Sequence, residues 1–137
     1  MNPRQLQIPL ILVVCLVVIA VVNGFADFYH WYWTMRWFDM PMHFAGGVWL
    51  AGMAVWWFLP PFKDMHAVSF MRILFIGLGA ALGIGLAWEL YEAIVGLLTV
   101  GHANAMSDTL SDLFFDTVGG TTVAFFTLFQ ARRANRI

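Results

Sequence analysis

Residues Ser107–Gly120 read SDTLSDLFFDTVGG. Aspartates stand at 108, 112 and 116, and an apolar run follows. Residues four apart share one face of an α-helix, so the segment predicts a helix that opens with a stripe of carboxylates. The rest of the chain makes that stripe unexpected. Of its 137 residues 61% are hydrophobic, the mean hydropathy is +0.77, and only 11% are charged, against about 25% in an ordinary soluble domain. The apolar residues gather in four stretches, Ile8–Ala26, Met42–Leu59, Val68–Leu98 and Leu110–Gln130. Each is near or above the roughly 20 residues that a helix needs to cross about 30 Å of hydrocarbon. The expected architecture is an all-α membrane protein, a four-transmembrane-helix bundle in one domain, with helices at about 8–26, 41–59, 68–98 and 108–130.

The first stretch has two readings. Arg4, the apolar run and Val22-Asn23-Gly24 resemble a cleavable signal, whereas the length of the run favours a retained span. The single cysteine, Cys15, lies inside it, which excludes an intrachain disulfide and fits a small apolar packing residue. No basic patch exists beyond the arginines of the tail ARRANRI, so nucleic-acid binding is not expected. That tail fits a topology anchor.

The basic residues set an orientation. With four spans, Arg4, Lys63, Arg72, Arg132, Arg133 and Arg136 share one side, six of the seven Lys and Arg, and Arg36 stands opposite. The positive-inside rule then places both termini in the cytoplasm. The outer loops fall at about 27–40 and 99–107, and the inner loop at about 60–67, where Pro60-Pro61 marks the turn. The first outer loop, with Phe25, Phe28, Tyr29, Trp31, Tyr32, Trp33, Trp37 and Phe38, reads first as an interfacial aromatic belt. A re-entrant segment or a docking surface for a partner or pigment is the other reading.

On this topology Asp39, His43, Glu89, Glu92, Asp108, Asp112 and Asp116 all fall in the outer half. At about 1.5 Å per residue, Glu89 and Asp116 reach similar depths, and Glu92, Asp112 and His43 lie about a turn nearer the surface. Each stripe continues into small residues: Gly77, Ala81 and Gly85 lead to Glu89, Asp116 leads to Gly120 and Ala124, and His43 leads to Gly47 and Ala51. Small residues mark close helix approach in membranes, so the acids are expected to point into the bundle.

The plainer roles are explicit. Asp39, before Pro41, fits a helix cap, as does Asp108 beside a positive helix end. A lone His43 fits a hydrogen-bonded bundle histidine. His30, His66 and His102 fit solvated or interfacial positions. Glu89, Glu92 and Asp116 resist such readings, because an intramembrane charge costs several kcal/mol unless it is paired or hydrated. Arg36 is the one outer Lys or Arg, set against seven acids including Asp27. Shared protons, a bound metal or a water-filled cavity can each resolve that imbalance. His43, Glu89, Glu92, Asp112 and Asp116 have the ligand types of a divalent-metal site, with Asp39 and Asp108 peripheral. Zinc, manganese or iron suits the mixture of His and carboxylates, and calcium or magnesium an all-oxygen set. Catalytic roles are open to Glu89, Asp116 and His43.

The segments FDMPMHFAGG, WELYE and SDTLSDLFFDTVGG resemble the Asp-x3-His-Phe, Trp-Glu-x2-Glu and Asp-x3-Asp-x3-Asp-x2-Gly segments of YjdF-like inner-membrane proteins, and more distantly VanZ-like proteins, a family linked to glycopeptide-antibiotic resistance. The likeness covers roughly residues 37–125. It implies a small multi-helix bacterial membrane protein, with Asp39, His43, Glu89, Glu92, Asp108, Asp112 and Asp116 at the motif positions, and it supplies no reaction. Three functions fit these readings. One is a metal-dependent enzyme acting on a lipid-linked or envelope substrate. Another is a cation- or proton-binding transporter. The last is an accessory subunit, partnered by another membrane protein or by its own copies, in which the acidic cluster is structural.

Overall fold

A computed structural model describes residues 8–35, 37–99 and 106–134, apart from the side chains of residues 63, 66 and 67. Arg4, Arg36, His102, Arg136 and the side chains of Lys63 and His66 therefore lie outside the described residues. All regular structure described is helical: α1 (Leu10–Phe28), α2 (Trp31–Thr34), α3 (Asp39–Phe58), a 3-10 turn (Phe62–Ala67), α4 (Phe70–Thr99) and α5 (Met106–Ala134). The long helices occupy the four apolar stretches. By length and composition, α1 and α4 are able to cross a membrane. The other two long helices, α3 and α5, run for 20 and 29 residues.

Helix boundaries follow from local chemistry. Pro9 precedes the first turn of α1, with φ −54°, where proline's fixed φ suits a helix start. His30 closes α1 in the left-handed region, at φ 57°, a conformation in which histidine is among the better tolerated side chains. Leu59 turns extended ahead of Pro60-Pro61 and ends α3. Ser69 accepts the Arg72 backbone N–H on its hydroxyl at 3.2 Å, which satisfies one open donor at the start of α4.

The core is a three-helix unit of α3, α4 and α5. Facing residues show that α3 and α5 run in the same direction and α4 runs opposite: His43 meets both Asp116 and Glu89, Ala51 meets Gly77, and Gly120 meets Ala81. The buried residues of α4 are Ile73, Gly77, Ala81, Gly85 and Glu89, one stripe of period four. The interior of the unit has three levels. At one end, Val55, Leu59, Met65, Ile73, Ala124 and Ala131 form an apolar core. At the other end, His43, Glu89, Asp112 and Asp116 are buried. Between them is a waist of glycine and alanine. There a Cβ on Gly119 would lie 2.5 Å from the Phe44 carbonyl oxygen and 2.8 Å from the Val48 nitrogen, and one on Gly47 would lie 2.6 Å from the Asp116 carbonyl oxygen.

Helix α1 is peripheral, with Ala26 as its one buried described residue. It leans on α3 through Leu12, whose carbonyl accepts the Trp49 indole N–H at 2.9 Å and whose methyl would sit 3.0 Å from a Cβ on Gly52. Most of its other large side chains, including Leu10, Ile11, Val17 and Val18, are exposed, as suits a helix solvated by lipid. Past α1, Phe38 is buried among Trp31, Tyr32 and Trp37, with ring centroids 5.2–6.3 Å away, and so fixes the backbone immediately before Asp39.

The waist gives a paired expectation. Gly119→Ala forces two backbones apart and should lower stability by about 1–3 kcal/mol or more. Gly79→Ala, where a Cβ meets nothing within 4 Å, should be neutral or stabilising by about 0.5–1 kcal/mol. Thermal unfolding of both variants in detergent checks the contrast.

Candidate functional site

Asp39 and His43 are one turn apart on α3, Glu89 and Glu92 lie in the C-terminal half of α4, and Asp108, Asp112 and Asp116 open α5. Because α4 runs against the other two helices, all three sets reach the same end of the unit. His43 is the hub. Its Nδ1 lies 3.3 Å from Asp116 Oδ2, and its Nε2 lies 3.7 Å from both Asp39 Oδ1 and Glu89 Oε1. One donor atom each from Asp39, His43 and Asp112 falls within 4.8 Å of the others. The described His–carboxylate contacts of the cluster all run through His43.

Asp116 is seated by the absence of side chains. Its backbone lies against Gly47 of α3, and its carboxylate occupies the place a Cβ on Gly85 of α4 would take. With Nδ1 facing Asp116, the Nε2 edge of the imidazole is turned toward Asp39 and Glu89. A carboxylate that holds the far nitrogen in this way fixes the tautomer and ring plane of a metal-binding histidine.

Glu89 and Asp112 are the unresolved charges. Glu89 is 5% exposed and Asp112 is 1% exposed. Both Glu89 oxygens and Asp112 Oδ2 are buried without a hydrogen-bond partner among the described residues, a costly condition for carboxylates.

The remaining expected residues sit further out. Glu92 is half-buried and accepts the Trp88 indole N–H at 3.0 Å, one turn back on its own helix. Asp108 is exposed in the first turn of α5. No side-chain cap is made at the start of α3, so the capping role open to Asp39 is not the one it takes. Its i,i+4 spacing from His43 was the sequence signal for the observed contact. Gly85 carried no chemical signal of its own, and it read as one more small residue in a packing stripe.

Tyr32 forms a polar link beside the cluster. Its hydroxyl donates to Asn23 Oδ1 at 2.6 Å, and Asn23 in turn donates to Asp27 at 3.3 Å. Burial, then the negative charges of Asp39, Asp27 and Glu92, push the Tyr32 phenol up from 10.0 to about 12.

A family model described as Predicted membrane protein (DUF2238) matches residues 2–133. The chain belongs to this family. It is the family of the YjdF-like proteins. The chain is thus a membrane protein of a family without an assigned function, with α1 and α4 as candidate spans. No curated protein and no solved structure matches it significantly.

Two expectations follow. Gly85→Ala should drive the Asp116 carboxylate off its seat and lengthen the His43 contact. Nitrogen-15 NMR of labelled histidine should then show a changed Nδ1 signal, with a stability loss of about 1–3 kcal/mol. For Tyr32, the folded pKa lies above the unfolded one, so its contribution is fully present below pH 10 and lost as the pH rises from 10 to about 12. Tyr32→Phe should remove that alkaline step from a plot of melting temperature against pH.

Proposed function

We propose that the chain is a four-span bundle of a bacterial inner membrane, with both termini cytoplasmic and the acidic cluster toward the outer side. We further propose that the cluster binds one divalent metal ion. The observation that carries the second statement is a set of three buried carboxylate oxygens beside His43, both of Glu89 and Oδ2 of Asp112, that have no hydrogen-bond partner among the described residues. A dication supplies the charge that these groups lack. The orientation rests on the positive-inside distribution of Lys and Arg.

The first ligands are His43 Nε2, Asp39 and Asp112, with Glu89 next to them. Two donors on one ion at about 2.0–2.2 Å lie at most about 4.4 Å apart. The observed 4.8 Å spread therefore needs only a few tenths of an ångström of side-chain contraction. Asp116 acts through His43 and not on the ion. One imidazole with several carboxylates and no thiolate favours zinc, manganese or iron(II) over calcium or magnesium. The bound ion would contribute Lewis acidity, and Glu89 is placed to accept a proton from water. These are the parts of a hydrolytic site for a lipid-linked or envelope substrate.

Two other functions meet specific observations. A transport path would have to cross the glycine waist and the apolar core of Val55, Ile73 and Ala124, beside which Thr127 is the buried polar side chain among the described residues. A structural role, in which shared protons fix helix register within a larger complex, is supported by the His43–Asp116 contact that ties α3 to α5.

Metal analysis by mass spectrometry on detergent-purified protein separates these. Near-unit metal is expected in the wild type. It should be lost in Asp112→Asn, and affinity should fall about 10–100-fold in Asp116→Asn, which unfixes the histidine. If metal is absent after purification with added zinc, manganese or iron, and Glu89→Gln melts higher than the wild type, the carboxylate is a buried charge with no ion to balance it and the metal reading fails.

A further inference from the structure

A groove of about 380 Å³ runs between α3 and α4 at the end of the bundle away from the acidic cluster, lined by Ala54, Phe58, Arg72, Ile76 and Ala80. Arg72, Ile76 and Ala80 are four residues apart on α4. They form one stripe about 12 Å long, parallel to the helix axis. Ala54 and Phe58 form the matching stripe on α3, with Phe58 standing out as a wall. Apart from the arginine, the lining is hydrocarbon.

Arg72 is exposed and makes no ion pair among the described residues. It sits in the first turn of α4, where the unsatisfied N–H groups already give the helix end a positive potential. A cation is disfavoured there, and an anion beside it relieves both charges. The same end of the bundle carries exposed Arg132 and Arg133 in the last turn of α5. The described acid at that end is Asp64, exposed in the 3-10 turn.

We propose that this groove holds one anionic phospholipid, with its phosphate on the Arg72 guanidinium and an acyl chain laid along Ile76 and Ala80 against Ala54 and Phe58. Basic positions between membrane helices at the headgroup level suit anionic headgroups, and the apolar stripe continues from the arginine in the direction in which acyl chains run. A second copy of the chain fits the groove less well. Copies inserted in the same orientation bring Arg72, Arg132 and Arg133 of each to the same level, so like charges would meet.

The test is native mass spectrometry of the full chain released from detergent. It is titrated with phosphatidylglycerol or with phosphatidylcholine of the same acyl chains. One retained phosphatidylglycerol is expected, favoured over phosphatidylcholine by about fivefold, the worth of one basic residue near an anionic surface. Arg72→Gln should abolish that preference. Ala80→Phe, which fills the groove, should reduce retention of both lipids, and Arg133→Gln should leave the preference intact. Three results overturn the proposal: equal retention of the two lipids by the wild type, an unchanged preference in Arg72→Gln, or a loss in Arg133→Gln as large as in Arg72→Gln, which marks a diffuse cationic surface. A protein dimer that Ala80→Phe dissociates also overturns it and assigns the groove to a second copy. Arg72→Gln alters an exposed side chain, so it remains informative if Ala80→Phe fails to fold.

Discussion

Placing the Asp116 carboxylate inside a helical bundle requires that two neighbouring helices give up their side chains at its level. Gly47 of α3 yields to its backbone and Gly85 of α4 yields to its carboxylate. The rest of the site depends on that close approach. It sets the separation of α3 and α5, and so the reach from His43 Nδ1 to Asp116 Oδ2. With Nδ1 held, the other edge of the ring has one direction left, toward Asp39 and Glu89. A larger residue at either glycine would leave the same donors in the chain at the wrong distance from one another.

The waist also divides the molecule. Below it, branched and sulfur-containing side chains fill the space between helices: Val55, Leu59, Met65 and Ile73. Above it, buried volume is taken up by carboxylates and an imidazole, which pack poorly and repel one another unless protons or a cation intervene. Such an arrangement survives only if the lower half supplies the cohesion. The aromatic layer around Phe38 adds a clamp at the other end, because it holds the chain entering Asp39 while α3 rises past Gly47. The upper cluster is thus fixed from both sides by apolar packing.

Much of this was legible in the sequence because membrane helices expose a simple code. A stripe of small residues at spacing four predicts a close face, and the acids at 89, 112 and 116 lie on the continuation of such stripes. The buried positions of α4, from Ile73 to Glu89, follow that period without a break. What the sequence left open has specific causes. Asp39 beside Pro41 carries the marks of a cap, and only the course of the backbone after Phe38 turns its carboxylate toward His43. Glu92 has the same chemistry as Glu89, yet it lies three residues on, about 60° short of a full turn round the helix, and it accepts the indole N–H of a tryptophan one turn back. The short helix at Trp31–Thr34 and the 3-10 turn after Pro61 are too brief to give a periodic signal. Hydropathy alone separates α1 and α4 from α3 and α5: three aspartates dilute α5, and glycines and tryptophans lower α3, whereas α4 stays apolar despite Glu89 and Glu92.

That dilution bears on how α3 and α5 fit a membrane. An isolated helix with aspartates at 108, 112 and 116 is a poor solute for hydrocarbon. Asp112 and Asp116 become tolerable only when α4 covers them and His43 shares their charge. Helix α4, long and apolar enough to span by itself, lies between α3 and α5 in sequence and presents to both of them one unbroken stripe of glycine and alanine. The same stripe that packs the bundle therefore screens its charges from lipid, and Glu89 completes it at the level where α5 turns polar. Helix packing and the assembly of the carboxylates around His43 are in this sense a single event. Any ligand that neutralises the cluster stabilises the packed bundle over its separated helices by its own binding free energy.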